Sequence, residues 1–287
     1  PNLIEQRRRL LEVPSVTFQD AFLESTPKYR LGKSYSELQL PVEVSNLLEE
    51  LSSKRAEEPP VIFNPPFEHQ AQALENVVTK GRSLVVTTGT GSGKTETFLL
   101  PLLAKLAKES SENPDSFRAP AVRALLLYPM NALVNDQLSR IRKLFGSSQL
   151  QKWFSEQANR PARFARYTSR TLYPGVRSVK KDQDRLTPFK HFYISLIRKA
   201  SDASDPTLQA RASKLITELK DRGRWPSKPD LQKWYGESRA KWQSANGDFL
   251  RAVLGPDDAE LLTRHEVQNN ASDILVTNYS MLEYMLL

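Results

Sequence analysis

The chain has 287 residues and a net charge of +8, long enough for one large domain or two modest ones with a real core. It has no cysteine and only three histidines, which excludes a disulfide framework and thiolate metal sites. No apolar run reaches membrane-spanning length and no signal-peptide pattern opens the chain, so we expect a soluble protein in a reduced, cytoplasmic setting, with no membrane partner.

In chain order, residues 1–60 read as a leader without evident chemistry. Apolar and charged residues alternate at helical spacing over residues 3–12 and again over residues 42–51, with Pro41 placed to start the second helix. Two Pro-Pro pairs, at positions 59–60 and 65–66, frame an extended stretch, and Phe67-Glu68-His69-Gln70 opens a helix to about Thr79. The Gln70 amide has one donor side and one acceptor side to offer adenine, and the Phe67 ring can cover a base face. The alternative is an ordinary exposed glutamine at the start of a surface helix. His69 reads as a packing or capping residue.

Residues 83–88 are rich in β-branched side chains and break into Gly89-Thr90-Gly91-Ser92-Gly93 before a helix beginning at Lys94. Strand, glycine loop and helix in that order form the context of a phosphate-binding loop: glycines let several N–H groups converge on a polyphosphate, and the helix start adds unpaired donors. Lys94 is then expected against the β- and γ-phosphates and Thr95 on Mg²⁺, with ATP as the nucleotide. Thr88 stands where the strict pattern has its first glycine. The competing reading is a glycine turn that binds nothing. Pro101 is expected to bend the helix, and residues 110–120 read as a loop.

Residues 121–128 are an almost continuous apolar run, as in a parallel strand buried on both faces. The turn that follows places Asn131, Asn135 and Gln137 on the sheet rim where ligands of open α/β folds collect, within reach of a nucleic-acid backbone. Helix capping by the asparagines is the alternative. Residues 177–251 contain 17 Lys and Arg against nine Asp and Glu, so this segment's excess of eight equals the charge of the whole chain. Trp225, Trp234, Trp242, Phe192 and Tyr193 are interleaved. Cations with aromatics suit nucleic acid, while a small helical insertion with its own tryptophan core and solvated charges is the other reading.

Taken together these motifs resemble the first RecA-like domain of superfamily-two DEAD/DEAH-box helicases. Tyr128-Pro129-Met130-Asn131-Ala132-Leu133 resembles motif Ia. Residues 163–167 with Thr168-Ser169-Arg170-Thr171 are similar to the next strand and its nucleic-acid loop, and residues 273–277 with Asn278-Tyr279-Ser280-Met281 resemble motif Ib. The wording is nearest to large bacterial helicases of the MrfA and Druantia-defence kind.

The resemblance implies an α/β fold with a mostly parallel sheet flanked by helices, a leader over 1–60, a RecA-like domain over 61–287 and a basic helical insertion over about 177–255. It implies Lys94 and Thr95 as catalytic groups. It also implies a nucleotide site of Phe67, Gln70, Thr90, Gly91, Ser92, Gly93, Lys94, Thr95 and Glu96, with ATP and Mg²⁺. Nucleic acid, DNA in preference to RNA, would meet Pro129, Asn131, Asn135, Gln137, Thr168, Arg170, Thr277, Asn278 and Tyr279. No Asp-Glu dipeptide occurs in the chain, whereas the family places one on a further strand to hold Mg²⁺ and orient water. The expectation is therefore the ATP-binding part of a longer helicase or translocase in anti-phage defence or DNA repair, inactive alone, with the remaining helicase and other subunits of such a system as partners. A non-catalytic, ATP-gated nucleic-acid-binding scaffold is the alternative. A P-loop kinase leaves Gln70 and the asparagine-rich rim without a role.

Overall fold

The computed structural model describes residues 2–13, 28–54, 60–89, 91–172, 186–235 and 254–287. They fall into two compact units, residues 1–30 and 31–287. The first contains α1 (Leu3–Glu12), whose start is capped by the Asn2 side chain accepting from the Ile4 N–H.

The second unit opens with α2 (Val42–Ser52), N-capped by Pro41. α3 (Glu68–Leu74) follows and continues into a π turn at Glu75–Thr79. Beyond the glycine loop, α4 (Lys94–Glu112) continues past the buried Pro101. Where the sequence suggested a loop, α4 extends to Glu112 and a second helix, α5 (Pro114–Arg118), starts at once because Pro114 is suited to a first helical position. Then come β1 (Ala124–Tyr128), α6 (Asn131–Phe145), α7 (Ser148–Ala158) and β2 (Phe164–Arg166). Residues 186–235 hold a π turn at Lys190–Ile194, α8 (Ser195–Ser201), α9 (Pro206–Asp221) and α10 (Leu231–Tyr235). The chain returns through β3 (Glu260–Leu261), α11 (Arg264–Asn269), β4 (Ile274–Asn278) and α12 (Tyr279–Leu286).

The four strands form one parallel sheet in the order β1-β4-β2-β3. β4 is interior to the sheet and buried along its whole length, its apolar Ile274-Leu275-Val276 suited to burial on both faces and its polar Thr277 and Asn278 buried with hydrogen-bond partners. Alternation divides its side chains between the faces. Ile274 and Val276 join the main core with Leu47, Leu74, Leu103, Ile141 and Phe154, while Leu275 joins Ala165, Leu261 and Met281 on the other face.

At the strand starts the buried Asp273 accepts hydrogen bonds from Arg160 Nη1 and Nη2 (2.7 and 2.8 Å), Arg123 Nη1 (2.8 Å) and the Arg163 N–H (2.7 Å). The guanidinium groups of Arg123 and Arg160 also lie over the Phe117 ring, at 5.0 and 4.3 Å respectively. This cluster ties α5, β2 and β4 together at the end of the sheet away from the rim.

The expected strand over residues 83–88 has no ladder partner among the described residues, and Val85 is 93% exposed. Its composition is that of a central strand, but a strand exists only as a paired object. β1 likewise pairs only with β4 among the described residues. Along its other side an open groove of about 790 Å³ is bounded by Val78, Leu102, Lys105, Leu106, Ala124 and Leu126. This groove is away from the glycine loop.

Candidate nucleotide and nucleic-acid site

The glycine loop takes its shape from two residues in the left-handed region, Gly91 (φ 78°) and Gly93 (φ 74°), the second being the N-cap of α4. An L side chain is disfavoured at both. The Gly93 carbonyl accepts from Gln70 Nε2 (3.0 Å), from the Thr97 N–H (3.2 Å) and from Thr97 Oγ1 (3.1 Å). Gln70 is buried, and its Oε1 accepts from the Phe67 N–H at 2.9 Å. One amide therefore both starts α3 and fixes the loop. His69 adds a contact between a ring nitrogen and the Ser92 carbonyl at 2.9 Å, and its ring stacks on Phe67. Its position fits the packing and capping role read from the sequence, with the phosphate loop as the thing it holds.

Lys94 is exposed, and its Nζ donates to the carbonyls of Thr88 (2.8 Å) and Gly89 (2.9 Å). Ser92 is buried with its hydroxyl 2.6 Å from that of Thr88. Thr95 is half-buried in the first turn, and Glu96 pairs with Arg140 of α6 at 3.3 Å. Thr90 lies outside the described residues. The donors of the first helical turn, a lysine at its start and two left-handed glycines suit a polyphosphate. Lys94 would meet the phosphates and Thr95 the metal ion.

The other candidates gather at the carboxyl ends of β1, β2 and β4. Asn278 Nδ2 donates to Asn131 Oδ1 (2.8 Å), Thr277 Oγ1 to the Tyr167 carbonyl (2.6 Å) and Arg166 Nη1 to Asn135 Oδ1 (2.7 Å). Asn278 Oδ1 also accepts from the Met281 N–H at 2.8 Å and so caps α12. Thr168 and Thr277 are buried and shape the rim from within, whereas Pro129, Arg170 and Tyr279 are exposed. Gln137 has its Oε1 buried without a hydrogen-bond partner.

In residues 186–235 the aromatics have found one another. Phe189 packs on Trp234 (5.1 Å between rings), Tyr193 on Trp225 (5.2 Å), and Trp234 Nε1 donates to Glu266 Oε1 at 2.8 Å. Trp234 is buried and Trp225 packs against the same cluster, so these two rings are core and the self-contained reading applies to them. Trp242, Lys180, Lys181 and Arg185 lie outside the described residues. A buried network holds this region to the sheet. Lys228 Nζ bonds Asp258 (2.7 Å) and Glu266 (3.0 Å), and Glu260 takes Arg142 in two hydrogen bonds of 2.6 and 2.8 Å. These pairs, and the places of Arg166 and Arg264 beside the rim, are not legible in the sequence, because each partner is distant in the chain.

Residues 67–173 match the DEAD/DEAH box helicase family. Over 299 aligned positions the chain is 45% identical to Druantia protein DruE of Escherichia coli (strain UMEA 4076-1), an alignment covering 99% of this chain and 15% of that protein. It is also 36% identical over 78 residues to the uncharacterized ATP-dependent helicase YprA of Bacillus subtilis (strain 168), covering 27% of this chain and 9% of that protein. Identity to the ATP-dependent RNA helicase DBP7 of Meyerozyma guilliermondii is 40% over 74 residues, 26% of this chain and 10% of the relative. The chain thus spans 15% or less of these three relatives. No solved structure matches. The parallel sheet flanked by helices is that of a RecA-like helicase domain. Among the described residues no helix is long and apolar enough to cross a membrane.

Proposed function

We propose that this chain is the ATP–Mg²⁺-binding part of an ATP-dependent helicase or translocase that acts on DNA in preference to RNA, within an anti-phage defence or repair system. The observation that carries the nucleotide reading is the loop itself. Left-handed Gly91 and Gly93 lead into α4 with Lys94 and Thr95 in its first turn, and the neighbouring Gln70 amide is bonded to the loop. In this reading Lys94 neutralises the terminal phosphates, Thr95 takes the metal, and Phe67 and Gln70 serve the base, for which the Gln70 amide has to leave the Phe67 N–H or the Gly93 carbonyl that hold it here. Bound ATP supplies the phosphoryl group whose hydrolysis drives movement. The rim formed by Asn131, Arg170, Asn278 and Tyr279 faces the nucleic-acid backbone. The name and 99% chain coverage of the DruE alignment support the defence assignment.

Calorimetric titration with ATP–Mg²⁺ tests the nucleotide reading. Lys94→Ala removes a charge-assisted contact of roughly 1.5–3 kcal/mol, so affinity should fall about ten- to a hundredfold. Equal affinities for the two proteins would sink it.

A further inference from the structure

The hairpin of α8 and α9 carries cations that nothing in the described residues neutralises. Arg198 and Lys199 lie in the last turn of α8, Arg211, Lys214 and Lys220 lie on α9, and Arg222 follows directly. All six are exposed, and none is in an ion pair among the described residues. The acids nearby are engaged elsewhere or stand apart. Asp202 accepts from the Ser204 N–H (3.0 Å) and hydroxyl (2.6 Å), and Asp205 caps α9 by accepting from the Leu208 N–H (3.0 Å). Glu218, four positions from both Lys214 and Arg222, forms an ion pair with neither. Of α9 itself only Ala212 is buried.

The aromatic rings of the same region are already in use. Phe189, Trp234 and Tyr235 are buried together, Tyr193 and Trp225 pack against them, and Phe192 is the exposed ring among the described residues 186–235. Proteins that hold a single strand stack its bases on exposed aromatic faces. A surface with free cations and few free rings suits a duplex instead, which keeps its bases stacked inside and presents its phosphates. The place of the hairpin fits that partner. Leu172, directly after the Thr168–Thr171 turn of the rim, packs on the same aromatic core. Gly223, just past α9, is left-handed (φ 64°) and backs onto the Ser139 carbonyl of α6 with no room for a Cβ, and α6 begins at the rim residue Asn131. Arg211 and Arg222 are eleven positions apart, which puts them on one stripe about 16 Å long, enough to meet separate phosphates.

We propose that the α8–α9 hairpin is a second nucleic-acid surface, separate from the rim, which holds the phosphate backbone of a duplex through Arg211, Lys214 and Arg222 without reading its sequence. The proposal rests on the nucleic-acid reading above and adds to it a place for a double-stranded segment. The buried Lys228 and Glu260 pairs fasten the base of the hairpin to the sheet, so a duplex held there keeps a fixed position relative to the rim.

The test uses the full 287-residue chain and fluorescence anisotropy across a salt series, with two probes: a blunt-ended duplex DNA and a single strand of the same sequence. The triple variant Arg211→Gln, Lys214→Gln, Arg222→Gln should bind the duplex roughly tenfold more weakly or worse, with the slope of log affinity against log salt lessened by about 0.9 for each cation that meets a phosphate. It should bind the single strand as the wild type does. The three side chains are exposed, so its melting temperature should be unchanged. Arg211→Gln alone should show a smaller loss in the same direction, which keeps the test open if the triple variant melts lower. Lys152→Gln, an exposed cation on α7, should match the wild type on both probes. A wild type that binds neither probe would overturn the nucleic-acid reading and this one with it. A wild type that binds the single strand but not the duplex would overturn the hairpin surface alone, as would a triple variant that keeps the duplex affinity and slope. Equal losses on both probes would overturn the assignment to a duplex. A polyglutamate peptide that binds the wild type more tightly than the duplex does, and the triple variant weakly, would assign the surface to an acidic protein instead.

Discussion

Gln70 Nε2 lies 3.0 Å from the carbonyl oxygen of Gly93, and a Cβ added at Gly93 would come within 2.4 Å of that same nitrogen. Gly91 is as left-handed as Gly93, yet a Cβ there would meet nothing within 4 Å. Alanine at either position incurs a backbone cost of roughly 1–2 kcal/mol, but only Gly93→Ala also displaces Gln70. Gly93→Ala should therefore melt lower than Gly91→Ala and lose more ATP affinity. Thermal melting and titration of the pair decide this, and identical behaviour would mean that the Gln70 contact does not hold the loop.

Residues 177–251 carry the chain's whole charge excess. If this segment meets nucleic acid, each phosphate it neutralises adds roughly −0.7 to −0.9 to the salt slope. Charge reversal at Lys180, Lys181 and Arg185 should flatten the slope measured by anisotropy. A slope indifferent to these changes assigns the charges to solvent.

Lys228 has a fully buried side chain, bonded to Asp258 and Glu266. Glu266 also receives the Trp234 indole and the N–H groups of Leu262 (2.9 Å) and Thr263 (2.8 Å). Lys228→Met leaves two carboxylates without their cation, a loss of about 3–5 kcal/mol in buried pairs. Urea unfolding should show a lower midpoint by a corresponding amount, whereas a surface-like shift of a few tenths of a kcal/mol would deny the network its role.

Glu109 is held below the usual carboxylate range, chiefly by its hydrogen bonds to Arg123 at 2.8 and 2.9 Å. A depressed folded-state value means that its contribution to stability is present above the unfolded value of 4.5 and is lost as the pH falls through the lower folded value. Melting temperature should fall in acid less steeply for Glu109→Gln than for the wild type, which starts higher at neutral pH. Parallel curves would show that Glu109 has no part in acid sensitivity.

The parts legible in the sequence were those with fixed local spacing. Glycines before Lys94-Thr95 announced the loop, a nearly continuous apolar run announced β1, though β1 is half-exposed rather than buried on both faces, and β4 was legible through its resemblance to the family's motif Ib. Residues 83–88 carried the same signal without a ladder, because side-chain pattern reports burial potential while pairing depends on a neighbour. Asn113 and Pro114 looked like a loop, but they end one helix and begin the next. Trp225 and Trp234 could be base platforms or core in any linear reading, and only their packing on Tyr193 and Phe189 separates the two. Arg166 and Lys228 were illegible for a simpler reason. Arg166 meets Asn135 from 31 positions away, and Lys228 meets Asp258 across 30.

The unshared side of β1 also bears on how the isolated chain behaves in the tube. Leu125 is 45% exposed, and the apolar residues 84–86, themselves partly exposed, have no ladder among the described residues. Strand edges of this kind recruit other strands. Dimers or larger species that form as the purified 287-residue polypeptide is concentrated would then record stickiness at that seam rather than a native quaternary state. A lysine at Leu125 should keep such preparations monodisperse in light scattering.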